Sequence, residues 1–215
     1  PATAGAGASP TAGRGGLLAL SRTTDAHGDR LEGVARESRW LAKRFGVARV
    51  RENDGTRPLE NMLAALGSLD VLHVASHTRW NPAAPWRAGF LLGSGEGEDA
   101  YLTAGRIASL RAPARVCVLA GCASAGSASG PEGLPTLAAA WLTSGASAVI
   151  ATLWPVDDEV TADFVAHFYE ELALGKTTGA ALAAAQGLVR GAKGSAAPRF
   201  WAGYVLLGDP ATRVS

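Results

Sequence analysis

The feature that most constrains the fold is an alternation of short aliphatic runs with longer segments of helical spacing. Each run is bounded by turn residues and is typical of a buried strand. Such runs lie at residues 17–20, 47–50, 70–75, 116–120, 148–153 and 200–207. Continuous apolar strands separated by helices are typical of an α/β fold. The sequence therefore predicts a mostly parallel sheet of about six strands with helices on both faces.

The segments between the strands carry helix signals. Leu31, Val34 and Leu41 share one side of the first predicted helix, and polar residues cover much of the rest. A proline lies in the first turn of the second predicted helix. The helices are predicted at residues 25–45, 56–66, 103–110, 136–142, 157–174 and 177–189. The segment 77–89 between the third strand and a short extended piece is predicted to be a loop.

Length and composition favour one globular domain. The chain has 215 residues, of which 47% are hydrophobic and 18% charged, which suits a folded core rather than a disordered segment. The net charge of +1 gives no pull towards nucleic acid or an anionic membrane, and no apolar run is long enough to span a bilayer. Residues 1–16, rich in Ala and Gly, are predicted to be a flexible linker from a longer protein, and residues 17–215 the domain.

The two cysteines point to a reducing compartment. Cys117 falls inside a strand and Cys122 beyond its end, which places them roughly 15 Å apart, too far for a disulfide. Free thiols fit the cytoplasm. No second Cys/His pair follows at zinc spacing, so neither a metal nor another cofactor is expected.

Two reactive side chains follow predicted strands. His77 comes just after the strand 70–75, and Cys122 just after the strand 116–120. Because parallel strands deliver their ends to one edge of a sheet, a thiol and an imidazole there can form a nucleophile–base pair. Gly121 and the small residues after Cys122 leave backbone N–H groups available for an oxyanion. The composition of the stretch 123–131, which consists of small residues, predicts a mobile loop.

The alternative for each residue alone is structural, since Cys122 suits a small core residue and His77 a loop. Their joint placement at two strand ends favours catalysis. His73, inside the strand, is predicted to be a core histidine with its hydrogen bonds satisfied. His27 and His167 are predicted to be structural or exposed.

The motifs, taken together, resemble the CHAT domain, a caspase-like, separase-related cysteine peptidase family usually attached to TPR repeats. The order of His before Cys, 45 residues apart, is also similar to the caspase pattern. The matching stretches are Leu72-His-Val-Ala-Ser-His77, Leu91-Leu92, Leu102-Thr103, Val118-Leu-Ala-Gly-Cys122, Gly130-Pro-Glu-Gly133, residues 141–150, Leu153-Trp-Pro-Val-Asp-Asp158 and residues 201–210.

This resemblance implies a three-layer αβα sandwich and a peptidase with Cys122 as nucleophile and His77 as general base. It also implies an oxyanion hole made by the backbone N–H groups of Thr78 and Cys122, a protein or peptide substrate, and regulation by a TPR or sensor region. The sequence departs from the family pattern where Thr78 stands in place of the usual Gly and Ala123 follows the cysteine in place of an acidic residue.

The resemblance leaves several candidates for substrate binding. Asp157 and Asp158 follow a strand and suit a basic P1 side chain, although the N-cap of the next helix is the favoured interpretation. Arg22 suits an acidic P1 residue or is simply exposed. Glu132 either orders the loop beyond the cysteine or contacts substrate, and Trp80 is a candidate lining residue of the cleft. Trp86 and Trp154 are further candidates, with the core an equal alternative for Trp154.

The sequence disfavours two other kinds of function. The turn at residues 93–99 is glycine-rich but acidic, which disfavours a phosphate site. The sequence has no G-x-S-x-G elbow, which disfavours an ordinary serine hydrolase. The competing interpretation is a caspase-like protein-binding scaffold with an idle dyad. The Ala, Gly and Arg bias suggests a GC-rich bacterial genome.

Overall fold

The computed structural model describes residues 16–64, 66–67, 69–80, 83–95, 97–111, 114–120 and 136–214. Its central sheet has six strands in the order β2-β1-β3-β7-β8-β9. All neighbours pair in parallel except β8 and β9, which are antiparallel. The strands are β1 (Leu17–Arg22), β2 (Val50–Asn53), β3 (Leu69–Ala75), β7 (Ala114–Leu119), β8 (Ala148–Thr152) and β9 (Tyr204–Gly208).

A second, antiparallel sheet of three short strands interrupts the crossover between β3 and β7. It consists of β4 (Thr78–Arg79), β5 (Gly89–Leu91) and β6 (Tyr101–Thr103). The helices are α1 (Glu32–Phe45), α2 (Leu59–Leu63), α3 (Ala104–Ser109), α4 (Thr136–Thr143), α5 (Asp158–Ala173), α6 (Thr178–Gly191) and α7 (Pro198–Trp201).

The central sheet is buried on both faces, which explains its continuous aliphatic strands. Along β7, Cys117 and Leu119 pack into one core cluster with α3, α4 and the small sheet. Val116 and Val118 pack into the other cluster with α1, α5 and α6. Successive residues thus serve opposite cores, as the period-2 geometry of a strand requires. The predicted three layers and six central strands are confirmed.

The first helix begins later than predicted. It starts at Glu32 rather than at residue 25, because the preceding polar residues form a turn of their own. Thr24 forms an isolated bridge with Arg30, and the Asp25 carboxylate accepts the backbone N–H groups of His27 and Asp29. Side chains that satisfy nearby backbone groups in this way compete with helix formation.

Three further boundaries were predicted wrongly. Residues 47–49 form a 3₁₀ turn, and β2 begins at Val50, since an edge strand can carry exposed charged residues such as Arg51 and Glu52. The second helix ends at Leu63 instead of residue 66. The last strand begins only at Tyr204, because a proline at the first position starts the short helix α7.

Candidate active site

His77 lies just beyond the carboxyl end of β3, and β3 is a neighbour of β7 in the central sheet. Leu69 pairs with Ala114 and Val74 with Leu119, a constant offset of 45 residues. The sequence separation between His77 and Cys122 equals this offset. The predicted adjacency of the two strands is therefore confirmed. Cys122 itself lies outside the described residues, so its distance from the imidazole stays a prediction.

The backbone around His77 is held by the small sheet. The Leu91 N–H donates to the His77 carbonyl oxygen at 2.9 Å, and the Ser76 hydroxyl lies 2.5 Å from the Leu91 carbonyl oxygen. Thr78 in β4 pairs with Phe90 in β5. The His77 side chain is exposed and makes no hydrogen bond within the described part of the chain. The small sheet therefore fixes the backbone at His77, while the imidazole ring is exposed to solvent.

Thr78 directly follows His77 and occupies an extended strand position. An L-residue adopts this conformation without strain, so a threonine is compatible with the place where the family usually has glycine. The oxyanion role of the Thr78 and Cys122 amides stays a prediction.

Arg22 is buried, with 3% of its surface exposed, so the interpretation as an exposed residue is wrong. Its Nη1 donates to the carbonyl oxygens of Gly93 at 2.5 Å and Gly95 at 3.1 Å. Its Nη2 donates to the Asp25 carbonyl oxygen at 2.9 Å. Arg22 thus ties the end of β1 to the turn after β5. A role in binding an acidic P1 residue stays a prediction.

Asn53 makes a second tie of the same kind. Its Nδ2 donates to the Leu92 carbonyl oxygen at 2.7 Å, and its Oδ1 accepts the backbone N–H groups of Gly55 and Arg57 at 3.0 Å. The ends of β1 and β2 therefore both hold the segment that connects β5 to β6 in the small sheet. The sequence analysis gave Asn53 no role.

Asp157 caps helix α5, as the favoured interpretation predicted. Its Oδ1 accepts the backbone N–H of Val160 at 3.2 Å, which satisfies a helix-end donor. Asp158 opens α5, and its side chain is outside the described part. Binding of a basic P1 side chain by either residue stays a prediction.

The tryptophans divide between core and surface. Trp80 packs partly buried against the core cluster beside the small sheet, and its buried indole Nε1 has no hydrogen-bond partner among the described residues. Trp86 is 61% exposed. Trp154 is half-buried and donates from Nε1 to the Arg199 carbonyl oxygen at 3.0 Å. Glu132, the remaining substrate-binding candidate, lies outside the described residues.

His73 belongs to the core, as predicted, but only one of its two ring nitrogens has a hydrogen-bond partner in the described part of the chain. It is fully buried, and its Nδ1 lies 3.0 Å from the hydroxyl of Tyr169 on α5. Its Nε2 lies 3.2 Å from Oε1 of Glu37 on α1, a contact at ion-pair distance that lacks hydrogen-bond alignment. Burial, together with the charges of Glu37 and Cys117, raises the pKa of Tyr169 well above its usual value. The sequence analysis missed both partners.

The other two histidines, His27 and His167, are far from His77 in the sequence. His27 is exposed in the turn before α1. His167 lies on α5, with Nδ1 3.8 Å from Oε2 of Glu170. These positions agree with the prediction that they are structural or exposed.

Asp25 is a carboxylate near His77 that the sequence analysis did not single out as a site residue. Desolvation raises its pKa, but the backbone N–H bonds from Asp29 and His27, and the positive charges of His27 and His77, bring its pKa below the usual value. Its type alone gave no signal, because aspartate is common in turns.

The other features of the described residues lie elsewhere or are absent there. A half-open cavity of about 330 Å³ lies at the amino ends of β1 and β3, lined by residues such as Phe45, Asp70 and Leu172, on the edge opposite His77. In the described part of the chain, no group of three or more His, Cys, Asp or Glu residues is arranged to hold a metal ion. Among the helices described there, none has both the length and the apolar character to cross a membrane.

The model of the CHAT domain matches residues 3–209. Tetratricopeptide repeat protein 28 of Homo sapiens is 32% identical over 112 residues, which covers 52% of this chain and 4% of the human protein. The Mus musculus protein of the same name is 33% identical over 111 residues, again 52% of this chain and 4% of the relative. The chain thus spans a small fraction of the length of the curated relatives it matches.

Two solved structures share the fold. The separase–securin complex of Saccharomyces cerevisiae matches with a TM-score of 0.59 and 16% identity, over 90% of this chain and 12% of the chain compared. The Arg specific cysteine proteinase gingipain R matches with a TM-score of 0.60 and 13% identity, over 93% of this chain and 47% of that chain. At these identities the likeness concerns the fold, which is caspase-like.

Proposed function

Because the chain belongs to the CHAT domain family, we propose that it is a cysteine endopeptidase in which Cys122 is the nucleophile and His77 the general base. The observation that carries the proposal is the pairing of β3 with β7 at an offset of 45 residues. That offset equals the separation of the two side chains, and register partners in neighbouring strands lie about 5 Å apart. We propose that this register continues past the strand ends, so that the two side chains meet within the hydrogen-bond distance that proton transfer requires.

The proposed reaction has two stages. His77 takes the proton of the Cys122 thiol, and the thiolate attacks the scissile carbonyl carbon, whose oxygen is held by the backbone N–H groups of Thr78 and Cys122. The C–N bond then breaks, and protonated His77 gives its proton to the leaving amine. Water attacks the resulting thioester with His77 again as base, which releases the acid product and the free thiol.

We propose a protein or peptide substrate and control by an attached TPR or sensor region. The matched relatives are named tetratricopeptide repeat proteins, which supports such an arrangement. We also propose a cytoplasmic location, because the nucleophile must stay reduced. The isolated domain is expected to be weakly active and to gain activity when a partner or substrate orders the loop after Cys122.

A thiol-directed peptide electrophile tests the proposal. We expect peptidyl chloromethyl ketones with Arg, Asp or Leu at P1, which lose chloride as the C–S bond forms, to label the protein at Cys122 faster than they label glutathione. His77→Ala should slow the labelling by roughly 10²- to 10⁴-fold, the usual range for acid–base catalysis. Cys122→Ala should abolish it. The matched control is Cys117→Ala, which removes a buried thiol and should leave the labelling rate unchanged.

The same experiment identifies the competing scaffold function. If no probe labels Cys122 faster than a free thiol and His77→Ala changes nothing, the dyad is idle and the peptidase proposal fails. Among reactive probes, the preferred P1 residue distinguishes the two candidate pockets. Asp157 and Asp158 would bind a basic P1 residue, whereas Arg22 would bind an acidic one.

A further inference from the structure

The loop between β1 and α1 shares the sheet edge on which His77 lies. β1 and β3 pair in parallel, with Ser21 opposite Ala75, so the two strands end side by side. His77 follows β3 by two residues and Asp25 follows β1 by three. The topology therefore brings a carboxylate and an imidazole to one edge from neighbouring strands.

Several hydrogen bonds fix Asp25 in that loop. Its Oδ1 accepts the backbone N–H groups of His27 and Asp29, each at 2.8 Å. Its own N–H donates to the Asp29 carbonyl oxygen at 2.9 Å. Its carbonyl oxygen accepts Nη2 of buried Arg22 at 2.9 Å. The carboxylate is thus held from both sides before any substrate arrives, which is what a positioning group requires.

One carboxylate oxygen remains available for another donor. In the described part of the chain Oδ2 of Asp25 accepts no hydrogen bond, and the His77 ring donates none. The lowered pKa of Asp25 keeps this carboxylate ionised throughout the neutral range, where a histidine acts as a base. The positive charge of His77 makes the smallest contribution to that lowering.

We infer that Asp25 is a positioning residue for the proposed dyad. When the exposed His77 ring turns towards the loop after β1, the free oxygen of Asp25 accepts one ring N–H, which leaves the other ring nitrogen to face the thiol. The charge of Asp25 then stabilises the imidazolium that forms when the thiol is deprotonated. This inference rests on the proposed function, because it assigns Asp25 a part in the same reaction. Asp25 touches neither substrate nor reacting atoms in this scheme.

The variant Asp25→Asn separates the charge from the fold. An asparagine Oδ1 can still accept the two backbone N–H groups of the turn, while the negative charge is lost. Asp54→Asn is the matched control, because Asp54 follows β2 and accepts the Thr56 N–H at 3.1 Å and the Thr56 hydroxyl at 2.6 Å in a similar turn. His27→Gln tests whether the neighbouring imidazole carries the effect.

The kinetic readout is kcat and KM on the best peptide substrate, or the labelling rate by the best ketone probe. We expect Asp25→Asn to lower kcat or the labelling rate by roughly 10- to 100-fold, less than loss of the base itself. KM and the melting temperature should stay unchanged, and both controls should behave like wild type. In a His77→Ala background Asp25→Asn should have no further effect. An unchanged rate, or an equal loss in that background, overturns the inference.

A second readout needs no activity. Long-range ¹H–¹⁵N spectra report which ring nitrogen of a neutral histidine carries the proton. We expect one His77 tautomer in the wild type and a mixture in Asp25→Asn, with His167 unchanged. A wild-type His77 ring that is already a mixture overturns the positioning role. The proposed function fails separately, when Cys122→Ala leaves cleavage at the wild-type rate.

Discussion

Arg22 offers the sharpest test, because its structural and substrate-binding roles predict opposite results. The perturbation is Arg22→Met, which keeps much of the side-chain volume and removes all five donors. The carbonyl oxygens of Gly93, Gly95 and Asp25 then lose a charged donor. The bond to Gly93 is the buried one, whereas those to Gly95 and Asp25 are partly exposed, so water can replace the arginine there.

The magnitude follows from that difference in burial. A buried acceptor left without a partner costs about 1–3 kcal/mol, and a partly exposed one costs less because water reaches it. We therefore expect Arg22→Met to lower the free energy of unfolding by about 3 kcal/mol. Arg22→Lys keeps the charge but not the planar fork that reaches separate carbonyls, so its loss should be about half as large.

The assay is urea unfolding of the two variants beside wild type, with Arg30→Met as control. Arg30 pairs with Glu32 on the surface, where its side chain is 55% exposed, so its removal should change stability by less than about 1 kcal/mol. The reasoning is refuted if Arg22→Met unfolds within about 0.5 kcal/mol of wild type. A selective loss of reaction with the Asp P1 probe at unchanged stability would instead establish that Arg22 binds an acidic P1 residue.

Three further predictions concern the core and the turns. Glu37→Ala should destabilise the fold by about 3 kcal/mol, because it removes one partner of a buried pair; Glu60→Ala, whose ion pair is exposed, should cost less than about 1 kcal/mol in the same unfolding assay. Burial raises the pKa of Cys117 far above its usual value, so its thiol should react with a disulfide reagent only after unfolding. Because the unfolded state ionises this thiol above about pH 9 and the native state does not, its replacement by Ala should weaken the fall in stability at alkaline pH. Gly208→Ala should destabilise the protein by more than about 2 kcal/mol, since φ is +98° and the new Cβ would lie 2.3 Å from a carbonyl oxygen. Gly187→Ala on the exposed side of α6, where nothing lies within 4 Å, should stabilise it by up to about 1 kcal/mol in thermal unfolding.

Where the apolar pattern is strong, the sequence predicts the fold well. β3, β7 and β8 lie within a residue or two of the predicted runs, because most positions in a doubly covered strand are apolar. β2 was misplaced because its exposed Arg51 and Glu52 carry no such pattern. α7 was missed because Phe200 and Trp201 suit a strand as well as a helix, and Pro198 decided the outcome.

Features of the candidate site are likewise predictable only where they follow from the local apolar pattern. The adjacency of the strands that precede His77 and Cys122 follows from local runs and a crossover of ordinary length, so the sequence reveals it. The burial of Arg22 does not follow, since its acceptors at Gly93 and Gly95 are backbone carbonyls 71 and 73 residues away. Side-chain type says nothing about which carbonyls a fold will bring near. Asp25 escaped notice as a site residue for the same reason.

Polar residues inside the sheet show why the chemistry belongs at its edge. The Ser38 hydroxyl donates to Oγ of Ser21 at 2.7 Å, and Nδ1 of His73 lies 3.0 Å from the Tyr169 hydroxyl. Each buried polar group that is matched in this way avoids the cost of desolvation, but it is no longer available to a substrate. His77, four residues beyond His73, is exposed and makes no side-chain hydrogen bond in the described part. The histidine inside β3 and the histidine just beyond it thus differ in position, because the residue past the last paired strand position keeps its ring nitrogens available to react.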